Sequence, residues 1–322
     1  MNTPPLLVVF PGLESLGAAL ARDTHRIYWS DVERLVERGL PPAVSVRVVA
    51  CLFGFSARLV GAIQRSPERY YRIFKIPKGK SSRQIEAPRV ALKVIQKWFG
   101  SHLAAACPLD DCVYGFVPGR SAPLAAKQHC GASWVYSLDI RDFFPSVSSG
   151  MVSEALRLKG YPDHAASLMA KLCCYEGRLA QGSPASPALS NLVFAPVDQL
   201  LAEIARANAC TYTRYADDIT FSGRTEVPAR LQEEVRKALQ EGGWQIAGHK
   251  EHLARAPRRL KVHGLLVNGR FPRLTKGYRN RLRALEHLLG QGRLDEAKEM
   301  EVRGHLAYAR SVESLQKSSD GG

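Results

Sequence analysis

Residues 210–223 read CTYTRYADDITFSG. Two adjacent acids, Asp217 and Asp218, interrupt a run of Thr, Tyr, Ile and Phe, residues that favour strands, so the stretch predicts a hairpin with the acid pair at its tip. Asp is common in turns, and the plain explanation is a solvated turn. The sharper one is a divalent cation, because hard cations such as Mg2+ take oxygen ligands and would relieve the repulsion between neighbouring carboxylates. A third acid, Asp139, closes the strand-like run WVYSLDI (134–140), and Pro145 stops any continuation. Two-metal phosphoryl transfer needs carboxylates from separate strands converging on ions roughly 3.5–4 Å apart. Asp139, Asp217 and Asp218 have the right chemistry and order for that.

The bulk composition narrows the partner. Among 322 residues, 45 Lys and Arg face 30 Asp and Glu, a net charge of +15. Such an excess points to a polyanion, since each neutralised phosphate releases a counterion. No apolar run in the sequence approaches the ~20 residues that span a bilayer. The early stretch PPLLVVFPGL is short, broken by Pro and without a basic leader, so no signal peptide is expected and the chain is placed in the cytoplasm. Seven cysteines form no C-x-x-C pair, which fits reduced thiols. Cys107 and Cys112, with His102 and His129 nearby, match no zinc spacing and are expected to be buried or incidental thiols.

Along the chain, SDVERLVERGL predicts a helix capped by Ser30 or Asp31 and ended at Gly39, and PPAVSVRVVACLFGFSARLVGAIQR predicts two short helices. YYRIFKIPK and RQIEAP read as strands of a basic hairpin turning over Gly79–Ser82, followed by a helix in VALKVIQKWFGSHLAAA. Further helices are expected in MVSEALRLKGY, DHAASLMAKLCCYEG, the stretch after AQGSP, and RLQEEVRKALQEGG. RLKVHGLLVNGRFPRL predicts a second hairpin turning at Asn268–Gly269. From Lys250 to Leu285 there are eleven Lys or Arg and one Glu. The fold class is α+β, with helical ends.

Taken in order, IPKGKSSRQIEAP, LKVIQKWF, YGFVPGRSAPLAAKQH, SLDIRDFFPSV, RLAQGSPASPALSNLVFAPVD, YTRYADDITFSG, GWQIAGHK and VHGLLVN resemble a reverse transcriptase, in particular the bacterial retron type, over roughly Arg72 to Val267. The resemblance implies a right-hand polymerase fold: an N-terminal helical extension (1–70), fingers and a palm with an antiparallel sheet (71–270), and a basic helical thumb with its tail (271–322). It implies that Asp139, Asp217 and Asp218 hold two Mg2+ ions, with Mn2+ as an alternative. Lys78 and Arg83 would contact the incoming deoxynucleoside triphosphate, a point charge beside a bidentate donor. Asp142 and Phe143 would lie beside the triphosphate, and Phe144 would block a ribose 2′-hydroxyl. Gln181 would sit by the nascent base pair, with Gly182 letting backbone approach the ligand. Lys250, the hairpin with His263 and Gly264, and Arg279, Arg281 and Arg283 on a thumb helix would meet template, primer or RNA.

Some positions depart from the retron pattern. The Asn-Ala-x-x-His motif keeps Ala126 and His129 but has Ala125 in place of Asn, and Val-Thr-Gly becomes Val262-His263-Gly264. Leu-Pro-Gln-Gly becomes Leu179-Ala180-Gln181-Gly182, and Ala247 stands where Asn is usual. As a retron enzyme the chain would copy a structured non-coding RNA into single-stranded DNA on a branched RNA–DNA molecule, in antiphage defence with a separate effector protein and no membrane. The alternatives are another bacterial defence or diversity-generating reverse transcriptase with different priming, or a catalytically idle RNA-binding scaffold.

Overall fold

The computed structural model describes residues 4–79, 81–292 and 294–317. In chain order the strands are β1 (Tyr71–Lys78), β2 (Ser81–Pro88), β3 (Trp134–Asp139), β4 (Cys174–Tyr175), β5 (Arg178–Leu179), β6 (Thr211–Tyr215), β7 (Asp218–Gly223), β8 (His252–Arg255), β9 (Lys261–Val262) and β10 (Leu265–Leu266). The chain divides into two compact units, 1–109 with 142–196, and 110–141 with 197–322. The N-terminal helices thus group with the β1–β2 hairpin, and the C-terminal helices with the acid-bearing strands.

In the first unit, the helix Arg22–Glu37 begins well before the expected cap. Asp31 sits mid-helix and pairs with Arg34 at 2.5 Å instead of capping anything. The apolar stripe explains the difference: Thr24, Val32 and Leu35 are all buried along one face, so tertiary packing extends the helix beyond its capping signals. Gly39 does end it, in the left-handed region with φ 66°. The two short helices follow at Val46–Phe53 and Ala57–Arg65, each capped by a serine hydroxyl that accepts from a backbone N–H. The helix Val90–Ala106 buries Leu92, Ile95, Trp98, Phe99 and Leu103, and Trp98 packs edge-on against Phe53 at 5.2 Å. The basic hairpin pairs Tyr71 with Pro88 through Lys78 with Ser81, so β2 starts two residues earlier than its sequence suggests.

The second unit is built on an antiparallel sheet in the order β6-β7-β3-β8. Its register sets Asp139 opposite Asp218 and Ser137 opposite Thr220. Because side chains alternate along a strand, one face carries Trp134, Tyr136, Leu138, Ile219 and Phe221, all buried. The other face carries Asp139, Ser137, Asp218, Thr220 and Ser222. On that polar face His129 is buried, with Nδ1 2.7 Å from the Ser222 hydroxyl and Nε2 2.7 Å from the Thr213 hydroxyl. Burial drives the His129 pKa down to about 3, helped by the charge of His263, so the ring is a neutral bridge between β6 and β7.

The second hairpin does not turn where the sequence suggests. β9 and β10 pair Val262 with Leu265, and the tight turn is His263–Gly264, both at positive φ (48° and 79°), as a type I′ turn needs. Asn268 instead accepts from the Leu260 N–H at 2.9 Å and donates to the Arg258 carbonyl at 3.0 Å. The wider loop around Asn268–Gly269 brings Arg273 back to Leu266. Val262, Leu265 and Val267 share a core with Leu282, Ala309 and Val312 of the helices Lys276–Gly290 and Glu296–Lys317. One helix, Ser186–Ala207, is long and apolar enough to cross a membrane by length and composition alone, although polar residues interrupt it. It carries Pro196 and the buried, ion-paired Asp198, and 44% of its most apolar stretch is buried. Those features belong to a core helix.

Candidate active site

The acid pair sits at the β6–β7 turn. Ala216 takes the left-handed conformation at φ 58°, which leaves Asp217 in the turn and makes Asp218 the first residue of β7. Three features fix that turn. The Ile140 N–H donates to the Asp217 carbonyl at 3.0 Å, tying the turn to the end of β3. A Cβ on Gly115 would lie 2.2 Å from the Ala216 nitrogen, so only glycine lets that segment pass behind the turn. Beneath it lies Arg214, fully buried, which donates to the Ala216 carbonyl at 3.0 Å and to both oxygens of Asp198 at 2.8 and 2.6 Å. Tyr212 adds a hydroxyl donor to the same carboxylate at 2.7 Å.

Within this one unit Asp139 and Asp218 are cross-strand partners, and Asp217 lies in the adjoining turn, close enough to feel both charges. Asp139 is 6% exposed, while the Asp218 side chain is 54% exposed. Burial raises the Asp217 pKa, and the charges of Asp139 and Asp218 add to it, against its own backbone N–H and Lys250. Negative charge is therefore crowded here. Lys250, at the end of a short 3-10 turn after Ala247, places its ammonium 2.5 Å from Asp139 Oδ2. Burial works against that ammonium, but the hydrogen bond and charge of Asp139, with Asp217 and Asp218, raise its pKa. A small cavity of about 110 Å³ is lined by Ser137, Asp139, Asp218, Thr220, Lys250 and His263.

His263 is placed by its turn next to the acids. Its side chain is 7% exposed, with Nδ1 3.7 Å from Asp218 Oδ2 and its ring 5.2 Å from that of Tyr215. Its Nε2 is buried without a hydrogen-bond partner among the described residues. The chemistry of the donors suits a hard divalent cation: carboxylates at the end of β3, at the start of β7 and in the turn between β6 and β7, with a lysine ammonium drawn to one of them. Among the described residues no group of three His, Cys, Asp or Glu side chains is placed so that it could hold a metal ion.

The remaining expected site residues belong to the first unit or to the C-terminal helices. Arg83 is exposed on β2, opposite Ile76. Lys78 ends β1, and its side chain lies outside the described residues. Asp142 is exposed at φ 47°, and its carbonyl accepts from the N–H and the hydroxyl of Ser146 at 2.8 and 3.0 Å. Phe143 is a core ring, 5% exposed and edge-on to Phe194 at 5.8 Å, so only its backbone is left for a ligand. Phe144 is half-buried beside it. Gly182 does serve a close backbone approach, but to protein: a Cβ there would stand 2.9 Å from the Glu86 carbonyl oxygen. Arg279, Arg281 and Arg283 are all exposed on Lys276–Gly290. Residues four apart share a helix face and residues two apart do not; Arg279 and Arg283 can therefore engage one surface, and Arg281 points elsewhere.

The family profile described as reverse transcriptase (RNA-dependent DNA polymerase) matches residues 76–268. The chain is 34% identical over 307 residues to the retron Mx65 reverse transcriptase of Myxococcus xanthus, covering 88% of this chain and 71% of that protein. It is 32% identical over 270 residues to the retron Mx162 reverse transcriptase of the same organism, covering 73% and 56% of the two. Against the retron Ec86 reverse transcriptase of Escherichia coli it is 27% identical over 285 residues, covering 87% and 88%.

Proposed function

Since this chain belongs to the reverse transcriptase family, we propose that it is the polymerase of a retron, copying part of a cognate structured non-coding RNA into single-stranded DNA. RNA-directed DNA polymerase activity comes with the family. To it we add initiation at the 2′-hydroxyl of an internal guanosine, a branched RNA–DNA product, two Mg2+ ions, and a part in antiphage defence beside a separate effector. The observation that carries the reading is the register that sets Asp139 opposite Asp218 with Asp217 in the adjoining turn.

In each addition a hydroxyl oxygen bonds to the α-phosphorus of the incoming nucleotide, the bond to pyrophosphate breaks, and the hydroxyl proton is released. Bound divalent cations would supply Lewis acidity to the hydroxyl and offset charge on the phosphates. Asp139, Asp217 and Asp218 would hold them. Lys250 counters the crowding of carboxylates and adds positive charge beside them. From the first unit, Lys78 and Arg83 would bind the triphosphate, aided by the backbone at Asp142 and Phe143. Phe144 would press on C2′ of the sugar and so favour deoxynucleotides, and Gln181 would meet the nascent base pair. Arg279 and Arg283, with the basic stretch from Lys250, would hold template–primer phosphates.

The test is to express the gene with its flanking DNA and extract nucleic acid. A discrete DNA species that shortens on RNase treatment, and that disappears in the Asp217→Ala/Asp218→Ala double variant, is expected. A DNA product insensitive to RNase would move the chain to reverse transcriptases that prime otherwise. DNA synthesis surviving the double variant would overturn the metal-site assignment.

A further inference from the structure

Glu86 is a carboxylate buried to 3% exposure on β2, a strand whose residues at 82–84 face solvent. Burying a carboxylate is costly unless it is paired and fully hydrogen-bonded, and this one is. Oε1 accepts from Arg178 Nη2 at 2.8 Å and from Gln84 Nε2 at 3.2 Å. Oε2 accepts from Arg178 Nη1 at 3.2 Å and from the backbone N–H of Gln181 at 2.9 Å. In return the Glu86 N–H donates to the Gln181 carbonyl at 2.8 Å. Burial works against its charge, yet Arg178, the Gln181 N–H and Gln84 hold the pKa below the usual carboxylate range.

Both backbone polar groups of Gln181 are therefore tied to one residue of the basic hairpin, and Gly182 lies so close that a Cβ would press on the Glu86 carbonyl. The loop beyond is fixed as well: the Ser183 hydroxyl donates to Gln96 at 2.7 Å. Nothing in this network is spent on the Gln181 side chain, which is half-buried. A glutamine whose main chain is clamped at both N–H and C=O offers its amide from a fixed position. Arg83 is three residues along the same strand.

We infer that Glu86 is a positioning residue: with the partly exposed Arg178 it clamps the Gln181 loop to the basic hairpin, so that nucleotide selection depends on an ion pair whose carboxylate is buried and touches no substrate. The inference rests on the reading that Gln181 meets the nascent base pair. An interaction that orders a binding group should appear in nucleotide affinity and discrimination before it appears in the chemical rate.

The experiment is single-nucleotide extension of a DNA primer on an RNA template by the full chain, with active sites titrated. Matched and mismatched deoxynucleotides are compared in wild type, Glu86→Gln, Arg178→Gln, Gln181→Ala and Glu86→Gln/Gln181→Ala. Glu86→Gln is nearly isosteric and keeps an acceptor for the Gln181 N–H while removing the negative charge that pairs with Arg178. Expected are a rise of about tenfold in KM for the matched nucleotide, as for loss of a charged hydrogen bond, weaker rejection of mismatches, and a maximal rate changed by less than about threefold. Arg178→Gln should do the same, and the double variant should be no worse than Gln181→Ala. A purely structural role would lower thermal stability and the titratable fraction but leave KM and mismatch rejection of the remaining enzyme unchanged, and that result overturns the inference. If Gln181→Ala itself alters neither quantity, the reading of Gln181 falls first. If Gln181→Ala alters both and Glu86→Gln neither, the clamp alone is wrong.

Discussion

Asp198→Ala is the variant whose cost follows most directly from the structure. Asp198 and Arg214 are 1% and 0% exposed, and the carboxylate takes two guanidinium bonds and the Tyr212 hydroxyl. Removing it strands a fully buried guanidinium with only the Ala216 carbonyl among these acceptors. Breaking a buried pair by deleting one partner costs about 3–5 kcal/mol. At ~2–4 °C per kcal/mol for a unit of this size, Tm should fall by about 6–20 °C. Replacing both members with apolar residues, Asp198→Leu with Arg214→Met, should recover most of that loss, because no charge is then left unpaired. Polymerase activity should not recover with it, since the Ala216 carbonyl, one residue before Asp217, loses its donor. Thermal unfolding by circular dichroism and primer extension on the same samples give the two readings. An Asp198→Ala protein within about 1 kcal/mol of wild type, or a double variant with full activity, would refute the view that this pair supports the turn.

Four shorter expectations follow from the same geometry. Asp217→Asn removes a charge that burial and its neighbours disfavour, so without divalent cation its Tm should rise while DNA synthesis is lost; a fall in Tm would contradict the crowding. Added Mg2+ should stabilise wild type by mass action and do much less for Asp217→Asn/Asp218→Asn, as read by thermal shift. His129 titrates near 3 in the folded chain against about 6.5 unfolded, so below pH ~6.5 the unfolded state binds the extra proton and stability falls by up to about 1.4 kcal/mol per pH unit. Urea titrations from pH 7 to 5 should show that slope in wild type and not in His129→Gln. Gly115→Ala should abolish activity and lower Tm, because its Cβ has no room behind the Ala216 nitrogen; an active variant would show that the turn can shift.

What the sequence made legible was whatever depends on neighbours in the chain. β-formers around Asp217 and before Asp139 marked the strands, and two short helices were readable at Val46–Phe53 and Ala57–Arg65, although their serine caps were not singled out. The three acids were readable as a set because one closes a strand and the other two form the tip of a hairpin. Contacts across long separations were not readable. Nothing near Asp198 marks it as the partner of Arg214, and Glu86 looks like one more polar residue on a basic hairpin until Arg178 and Gln181 are set beside it. Gly115 stood within a quoted motif, yet its reason, the approach to Ala216, lies a hundred residues away. The turn at His263–Gly264 was missed because Asn-Gly is the stronger local signal, whereas pairing of Val262 with Leu265 over a shared core decides the register.

Those long-range contacts have a common purpose at the acid pair. A site that must gather carboxylates is unstable by itself, and its instability is visible in the raised pKa of Asp217. The scaffold resists it from below and behind. The aromatic face of β3 and β7 fixes the register that sets Asp139 against Asp218, the neutral His129 bridges β6 to β7 without adding charge, and Arg214 grips the turn from the interior. A compensating charge comes from the Lys250 ammonium on Asp139, held by a side chain 41% exposed. Rigid support lies in the interior, and the Lys250 counter-charge lies on the partly exposed side. Lys250→Met should therefore lower Tm in the absence of divalent cation, since it leaves the nearly buried Asp139 carboxylate without its counter-charge beside two other acids, while Mg2+ should bind more tightly to the vacated Asp139, measured by calorimetry. Weaker Mg2+ binding in that variant would mean that Lys250 helps to assemble the carboxylates, and the ammonium would then be part of the rigid support.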